Sequence, residues 1–234
     1  MKRIINNLRV WVMLLALHCY GTYDVSAQSA GIGSWNIVNL KYQVSNRLSF
    51  FGEAQLRSLK FYNQFHYYEY KGGINYKVND KLVMSLGAGS YQTFAEGGNF
   101  LRPKNNDEFR LWPQILLLQS IGRFTIEQRY RAELRFTSNG YRNRFRYRLG
   151  INFPLGEKKK DKIPFQAFLN NELFFTDREP FFERNRMAMG LQYRMNANTN
   201  ILLGYLHQFD YRINDETGRD FIQIGYYLNI GHNK

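Results

Sequence analysis

Cysteine and long apolar runs are scarce in this sequence, and each shortage excludes a class of protein. The only cysteine among the 234 residues is Cys19. A disulfide framework and a cysteine-based zinc site are therefore excluded. Between residues 28 and 234 no apolar stretch approaches the roughly 20 residues of a transmembrane helix. The sequence thus predicts no membrane-spanning helix in that range.

The N-terminal segment has the three parts of a secretory signal peptide. A basic start leads into a short apolar run and then into small residues: Lys2, Arg3 and Arg9, then Val10 to Leu17, then Val25-Ser26-Ala27. We predict a signal peptide over residues 1–27, cleaved after Ala27, and a single domain over residues 28–234. Cleavage would remove Cys19 together with three basic residues and Asp24, which lowers the net charge from +13 to +11.

Histidine is also scarce, whereas basic and aromatic residues are abundant. The chain has four histidines, 17 tyrosines and 19 phenylalanines, and lysine and arginine outnumber the acids 32 to 19. No histidine or carboxylate cluster has the spacing of metal ligands. The arginines alternate with apolar residues instead of forming a tail or a helical stripe, which disfavours nucleic-acid binding. We therefore predict no cofactor, no metal and no nucleic-acid partner.

Alternation with a period of two residues is the main pattern of the chain. From Arg123 to Phe136 every second residue is apolar or aromatic with one Gln, and the residues between are Arg, Glu or Thr. The segment from Tyr141 to Phe153 repeats this arrangement, with Arg142, Arg144, Arg146 and Arg148 on one face. Successive side chains of a strand point to opposite sides. Both segments are thus predicted to be strands with one apolar and one charged face.

Eleven such segments follow one another along the chain. They are 35–44, 48–58, 66–78, 82–94, 107–121, 123–136, 141–153, 165–176, 182–195, 200–211 and 220–231. Short connections alternate with longer ones at 59–65, 95–106, 177–181 and 212–219. Their lengths exceed those of ordinary globular strands and suit tilted membrane strands.

We therefore predict an all-β fold, a transmembrane antiparallel up-and-down β-barrel of about 10–12 strands. Single-chain bacterial barrels have an even number of strands. Either the first segment lies outside the wall, which leaves ten strands, or one segment hides two strands, which gives twelve. Hydrocarbon offers no hydrogen-bond partner to a strand edge, so the sheet must close.

If the apolar faces meet lipid, the charged faces line the lumen. Strand parity predicts these lumen-lining residues: Glu53, Arg57, Glu69, Glu108, Arg110, Glu127, Arg129, Arg131, Glu133, Arg135, Arg142, Arg144, Arg146, Arg148, Glu172, Arg184 and Arg186. Lys71 and Arg194 have the same parity. These are six acids against thirteen bases, a predicted excess of about seven positive charges. The residues support two interpretations: an Arg–Glu network that stiffens the wall, or a narrow anion-preferring pore with Arg144 and Arg146 among its selective residues.

Two alternatives come from other functional classes. An outer-membrane lipid-acting hydrolase would need a histidine and a serine on the outer wall, for which His207 with Ser90 or Ser138 is the available choice, although no G-x-S-x-G motif is present. A soluble β-protein that binds an acidic partner would turn the arginines to solvent. The sequence predicts no catalytic residue, and an enzymatic activity stays undecided.

Aromatic residues and glycines add two architectural predictions. Amphipathic rings at the membrane–water boundary are predicted at Trp35, Trp112, Tyr67, Tyr68, Tyr70, Tyr226 and Tyr227. Gly72-Gly73 and Gly87-Ala88-Gly89 lie inside strands, where glycine permits bending or the close approach of a large neighbour.

Several motifs, in their order and spacing, resemble the outer-membrane family catalogued as domain of unknown function 2490. They are Trp35, Glu53-Ala-Gln-Leu-Arg57, Glu108-Phe-Arg-Leu-Trp-Pro-Gln114, Glu127-Gln-Arg-Tyr-Arg-Ala-Glu133, Asn143-Arg-Phe-Arg-Tyr-Arg148, Asn171-Glu172 and Asn185-Arg186. The resemblance runs from Trp35 to about Ile230. It implies a β-barrel in the outer membrane and adds no activity. We predict that the chain resides in the outer membrane of a Gram-negative bacterium, with membrane lipid and the barrel assembly machinery as its partners.

Overall fold

The computed structural model describes residues 31–156, 164–211 and 216–231, and all regular structure in these ranges is β-strand. The eleven strands are β1 (Gly33–Gln43), β2 (Leu48–Lys60), β3 (Asn63–Asn79), β4 (Leu82–Ala95), β5 (Leu101–Ile121), β6 (Phe124–Thr137), β7 (Gly140–Leu155), β8 (Phe165–Thr176), β9 (Phe182–Arg194), β10 (Thr199–Asp210) and β11 (Thr217–Gly231). All eleven predicted segments are confirmed as strands. The predicted signal peptide and its cleavage site lie outside the described residues. No helix in the described ranges has the length and apolarity that crossing a bilayer requires.

The strands form one closed barrel in chain order. Ten neighbouring pairs are antiparallel, and β1 closes the barrel on β11 in parallel, from Gly33 opposite Phe221 to Gln43 opposite Gly231. The expected even number was therefore wrong: the first segment belongs to the wall, and no segment hides two strands. An odd number of up-and-down strands makes the first and last run in the same direction. A parallel ladder still pairs every edge group.

The odd strand number also places the start of β1 and the end of β11 at opposite rims of the barrel. The first rim carries the start of β1 and the connections after β2, β4, β6, β8 and β10, and the second rim carries the end of β11 and the remaining connections. Two predicted loops are shorter than expected, because Lys60 pairs with Asn63 and Ala95 with Leu101 at the first rim. Only residues 61–62 and 96–100 remain between those strands.

The outer face of the barrel is apolar. Phe145 is 53% exposed, whereas its neighbour Arg144 is 3% exposed. Each strand presents at least one large apolar side chain on the outside: Val38, Phe50, Ile74, Leu86, Ile115, Leu134, Leu149, Leu169, Leu191, Leu203 and Tyr226. The distribution is the reverse of that in a soluble domain, where such residues fill the core.

Large aromatic rings pack on the inner face, over glycines of neighbouring strands. A Cβ on Gly87 would lie 2.5 Å from the Trp112 indole, and one on Gly73 would lie 2.7 Å from the Phe51 ring. The predicted close approach at these glycines is confirmed. Trp112, at 1% exposure, is buried inside the barrel.

The boundary position predicted for several aromatics is consequently wrong. Trp35, Trp112, Tyr67 and Tyr227 share strand parity with interior residues and point inward, whereas Tyr70 and Tyr226 are exposed on the outer face. Tyr68 packs its ring 6.0 Å from that of Phe100, near the first rim. Residue type suggested the boundary for these rings, but parity along the strand decides the side of the wall on which a ring lies.

Candidate functional site in the barrel interior

A cavity of about 770 Å³ occupies the barrel interior. Its lining reaches from Glu96 and Arg219, near the first rim, to Lys41 and Gln192, near the second. Fifteen residues named by parity line it: Glu53, Arg57, Glu69, Glu108, Arg110, Glu127, Arg129, Arg131, Arg135, Arg144, Arg146, Arg148, Glu172, Arg184 and Arg186. Lys71 lines it as well. Glu133 lies behind the lining and is 1% exposed.

Two of the predicted positions fall elsewhere. Arg142 and Arg194 do not line this cavity, because they lie near the ends of β7 and β9, where the enclosed space opens at the rims. Arg142 instead lines a second cavity of about 470 Å³ at the first rim, beside Asp177 and Arg178 of the connection after β8. Two hydrogen bonds that Asn143 donates hold the pKa of the Asp177 carboxyl below its ordinary value.

The centre of the interior is a buried carboxylate surrounded by arginines, called here the Glu133 network. Glu133 of β6 receives ion pairs from Arg144 Nη2 at 2.6 Å and Arg146 Nη1 at 2.7 Å, both from β7. Arg131 Nη1 lies at 3.5 Å and Arg110 Nη1, from β5, at 3.9 Å. The carboxylate is fully covered by these groups. Three adjacent strands are thereby joined through one acid.

Two further acids extend this network toward β8 and β9. Glu172 of β8 pairs with Arg146 at 2.8 Å and with Arg129 at 2.5 Å. Glu183 of β9 pairs with Arg144 at 3.1 Å and with Arg135 at 3.4 Å. Because Arg144 and Arg146 each bridge two carboxylates, the pairs form one connected structure across the five strands β5 to β9.

Glu183 was not among the predicted lumen residues. A register shift between β8 and β9 sets Phe174 opposite Arg184 but Phe175 opposite Phe182, so Glu183 is the extra residue of a β-bulge. A bulge breaks the alternation and turns two successive side chains toward the same side. Both Glu183 and Arg184 consequently line the cavity. No sequence signal marks this position.

A second group of charges lies on β2 and β3. Glu69 pairs with Arg57 at 3.0 Å and with Lys71 at 2.5 Å, and it accepts a hydrogen bond from Tyr67. Lys71 also reaches Glu53 at 2.6 Å. These two acids and two bases balance one another.

Aromatic rings connect the charged groups in what we call the arginine–aromatic row. The Arg57 guanidinium carbon lies 3.4 Å from the centre of the Trp35 ring, and that of Arg186 lies 4.8 Å from it. Arg186 is also 4.8 Å from the Phe174 ring, against which Arg146 lies at 4.5 Å. Desolvated cation–π contacts of this kind stabilise by about 2 kcal/mol each. Parity reasoning named the arginines but missed Phe174, which the sequence hides in an apolar run.

The interior carries an excess of positive charge. Thirteen lysine and arginine side chains and eight carboxylates line the cavity. Glu133 behind them is a ninth carboxylate, so the excess among the described residues is four. This is smaller than the excess of about seven that parity predicted, because Glu183, Asp210 and Glu96 join the lining.

The residues considered for hydrolysis are not brought together. His207 and Asp220 lie on the outer face of β10 and β11, where His207 Nδ1 is 2.7 Å from an Asp220 oxygen. Ser90 is on β4, five strands away around the wall, and Ser138 lies in the connection after β6, where it donates a hydrogen bond to Asn106. Within the described ranges no group of three or more His, Cys, Asp or Glu residues is arranged to hold a metal ion.

Comparison with known proteins assigns the chain to a family. A family model described as "Protein of unknown function (DUF2490)" matches residues 32–219, which is most of the barrel and ends within β11. No curated protein sequence and no solved structure matches the chain. The motifs on which the resemblance rested all lie inside the matched range. The chain belongs to the family described as Protein of unknown function (DUF2490).

Proposed function

We propose that this chain is an outer-membrane β-barrel of a Gram-negative bacterium, with an Arg–Glu interior that stiffens the wall. It is exported on the signal peptide over residues 1–27 and inserted by the barrel assembly machinery. The observation that carries the proposal is the inverted distribution of side chains in a closed wall. Large apolar residues are exposed on all eleven strands, while Arg144 and Glu133 are buried.

The dimensions of the wall support this proposal. The shortest strand, β1, has 11 residues. At about 3.3 Å per residue and a tilt of about 40°, such a strand rises about 28 Å, close to the thickness of a hydrocarbon core. Exposed apolar side chains over that height would be costly in water. A soluble protein that binds an acidic partner would instead need its arginines outside.

Cell fractionation tests the location. Expressed in a Gram-negative host, the protein is expected in the outer-membrane fraction of a density gradient, with Gln28 as its first residue by mass spectrometry. Ala27→Lys is the matched control, because it should block cleavage and leave the precursor with the inner membrane. A native monomer recovered from buffer without detergent would contradict the proposal.

A second candidate function is a narrow path that prefers anions. The excess of four positive charges and a cavity that extends toward both rims favour it. Arg144 and Arg146, selected from the sequence, are held by Glu133, Glu172 and Glu183. Arg148 is more available to a passing ion, since its side chain is 26% exposed and its one ion pair in the described part, with Glu127, is 3.4 Å long.

Planar-bilayer conductance tests this path. We expect small currents that prefer chloride over potassium, because fixed positive charge in a narrow pore favours anions. Arg148→Gln should weaken that preference, since it also leaves Glu127 uncompensated. Arg142→Gln removes the same charge outside the main cavity and should change the preference less. Cation preference in the unmodified protein would exclude the anion path. The absence of any current would also exclude it, and the stiffened barrel would remain as the only proposed function.

A further inference from the structure

Three guanidinium groups meet around two aromatic rings in the half of the interior nearer the first rim. Arg57 and Arg186 both lie against Trp35, and Arg184 lies 5.8 Å from the Phe174 ring that also contacts Arg186. Three positive charges grouped around two shared rings repel one another, and the barrel interior screens this repulsion less than bulk water does. The group therefore depends on negative charge nearby.

The carboxylates in the described part of the chain form ion pairs with only two of the three. Glu172, which lies opposite Arg186 on β8, pairs instead with Arg129 and Arg146. Arg57 pairs with Glu69 at 3.0 Å and Arg184 with Asp210. Arg186 has no carboxylate within 4.0 Å among the described residues. Its Nε donates a hydrogen bond to the Gln208 side-chain oxygen at 2.8 Å. Its two terminal nitrogens have no acceptor in those residues. Arg57 contributes an Nε that is buried and also without a partner.

An apolar patch adjoins this cluster on the inner face. It consists of Trp35, Ile37, Phe168, Ala188, Leu202 and Leu206, all of which line the cavity. Ala188 follows Arg186 by two residues on β9 and therefore points to the same side. A water-filled barrel interior is polar, so ion passage does not call for such a patch. It provides a surface for an apolar ligand group next to a guanidinium that has no ion-pair contact in the described residues.

We propose that the interior binds an amphiphilic organic oxyanion, with its carboxylate or phosphate on Arg186 and its apolar part against the patch. A planar guanidinium presents two parallel N–H donors that match the oxygens of either group. The whole interior cavity measures about 770 Å³, which leaves room for one ligand of the size that sites of about 300–1,000 Å³ hold. The site goes beyond the proposed function and does not require an open path.

Isothermal titration of the mature chain, folded in a non-ionic detergent, tests the site with four probes. 4-Phenylbutyrate and phenyl phosphate carry the two possible head groups on an apolar part. 4-Phenylbutylamine reverses the charge, and acetate lacks the apolar part. We expect one or both aryl anions to bind at least about tenfold more tightly than the amine and acetate, the size of a charged hydrogen bond.

Variants identify the residues. Arg186→Gln should weaken binding of the aryl anions by about tenfold or more, whereas Arg194→Gln, on the same strand but outside the cavity, should leave it unchanged. Ala188→Phe fills the patch and should also abolish their binding. Circular dichroism and heat-modifiable migration on gels check that each variant folds.

The outcomes separate this site from the membrane proposal. Equal binding of acid and amine would mean partition into micelles, and acetate binding as tightly as phenylbutyrate would remove the role of the patch. Either result overturns the site, as does binding that survives Arg186→Gln. Since titration is done on folded protein, failure to bind leaves the cell-fractionation result standing, and the reverse also holds.

Discussion

Replacement of Glu133 by glutamine is expected to destabilise the folded barrel by about 3–5 kcal/mol, the cost of breaking a buried ion pair from one side. The Glu133 side chain is fully buried and compensates Arg144 and Arg146 at 2.6 and 2.7 Å. Glutamine keeps the shape but removes the charge. Arg131 and Arg110, at 3.5 and 3.9 Å, then also lose their common acid. Urea unfolding of the protein in lipid vesicles, followed by tryptophan fluorescence, measures the change.

Glu127→Gln is the matched control for this prediction. Glu127 lies on the same strand and face, but its side chain is 26% exposed and its pair with Arg148 is 3.4 Å long. A pair in contact with water contributes little, so we expect a loss below about 1 kcal/mol. Equal losses for the two variants would show that the interior is hydrated throughout and that the Glu133 network does not hold the strands together.

Replacement of Leu203 by arginine is expected to destabilise the barrel in a bilayer by about 2–4 kcal/mol, the cost of arginine near the midplane on a lipid-facing wall. Leu203 is 59% exposed on the outer face of β10, between Leu191 of β9 and Ile224 of β11. Its outer side has no protein neighbours among the described residues, so the expected loss of stability comes from placing a charged side chain in hydrocarbon and not from disturbing a packed core. Urea unfolding in vesicles gives the value.

Phe124→Arg supplies the comparison at the rim. Phe124 is 46% exposed and is the first residue of β6, where a long side chain can reach water. There the cost should fall to about 0–1 kcal/mol. If the barrel were soluble, both exposed positions would accept arginine within about 0.5 kcal/mol. A negligible effect at Leu203 would therefore contradict the membrane proposal.

The family identity and the chemistry at its centre fit together. The motifs that carried the resemblance, among them Glu127 to Glu133 and Asn143 to Arg148, supply much of the Glu133 network and its extension. The family has no assigned activity. The ligand proposed for Arg186 is therefore the most direct route from this structure to a biochemical role.

The local sequence alone determined the strands and, for most residues, the side of the wall on which each lies. Alternation in β6 and β7 predicted that Arg129, Arg131, Arg144 and Arg146 share one face, and all four line the cavity. Such predictions succeed because successive side chains of any strand point in opposite directions, whatever the strand pairs with.

Only the tertiary structure decided the features that depend on contacts between strands. The parallel seam between β1 and β11, the bulge that turns Glu183 inward and the stacking of Arg186 between Trp35 and Phe174 have no local sequence signal. The choice of acid for each arginine has no local signal either, because Arg146 reaches Glu133 and Glu172 only when β6, β7 and β8 lie side by side. Alternation records the direction of a side chain, whereas its partner is set by distances that exist only after the barrel has closed.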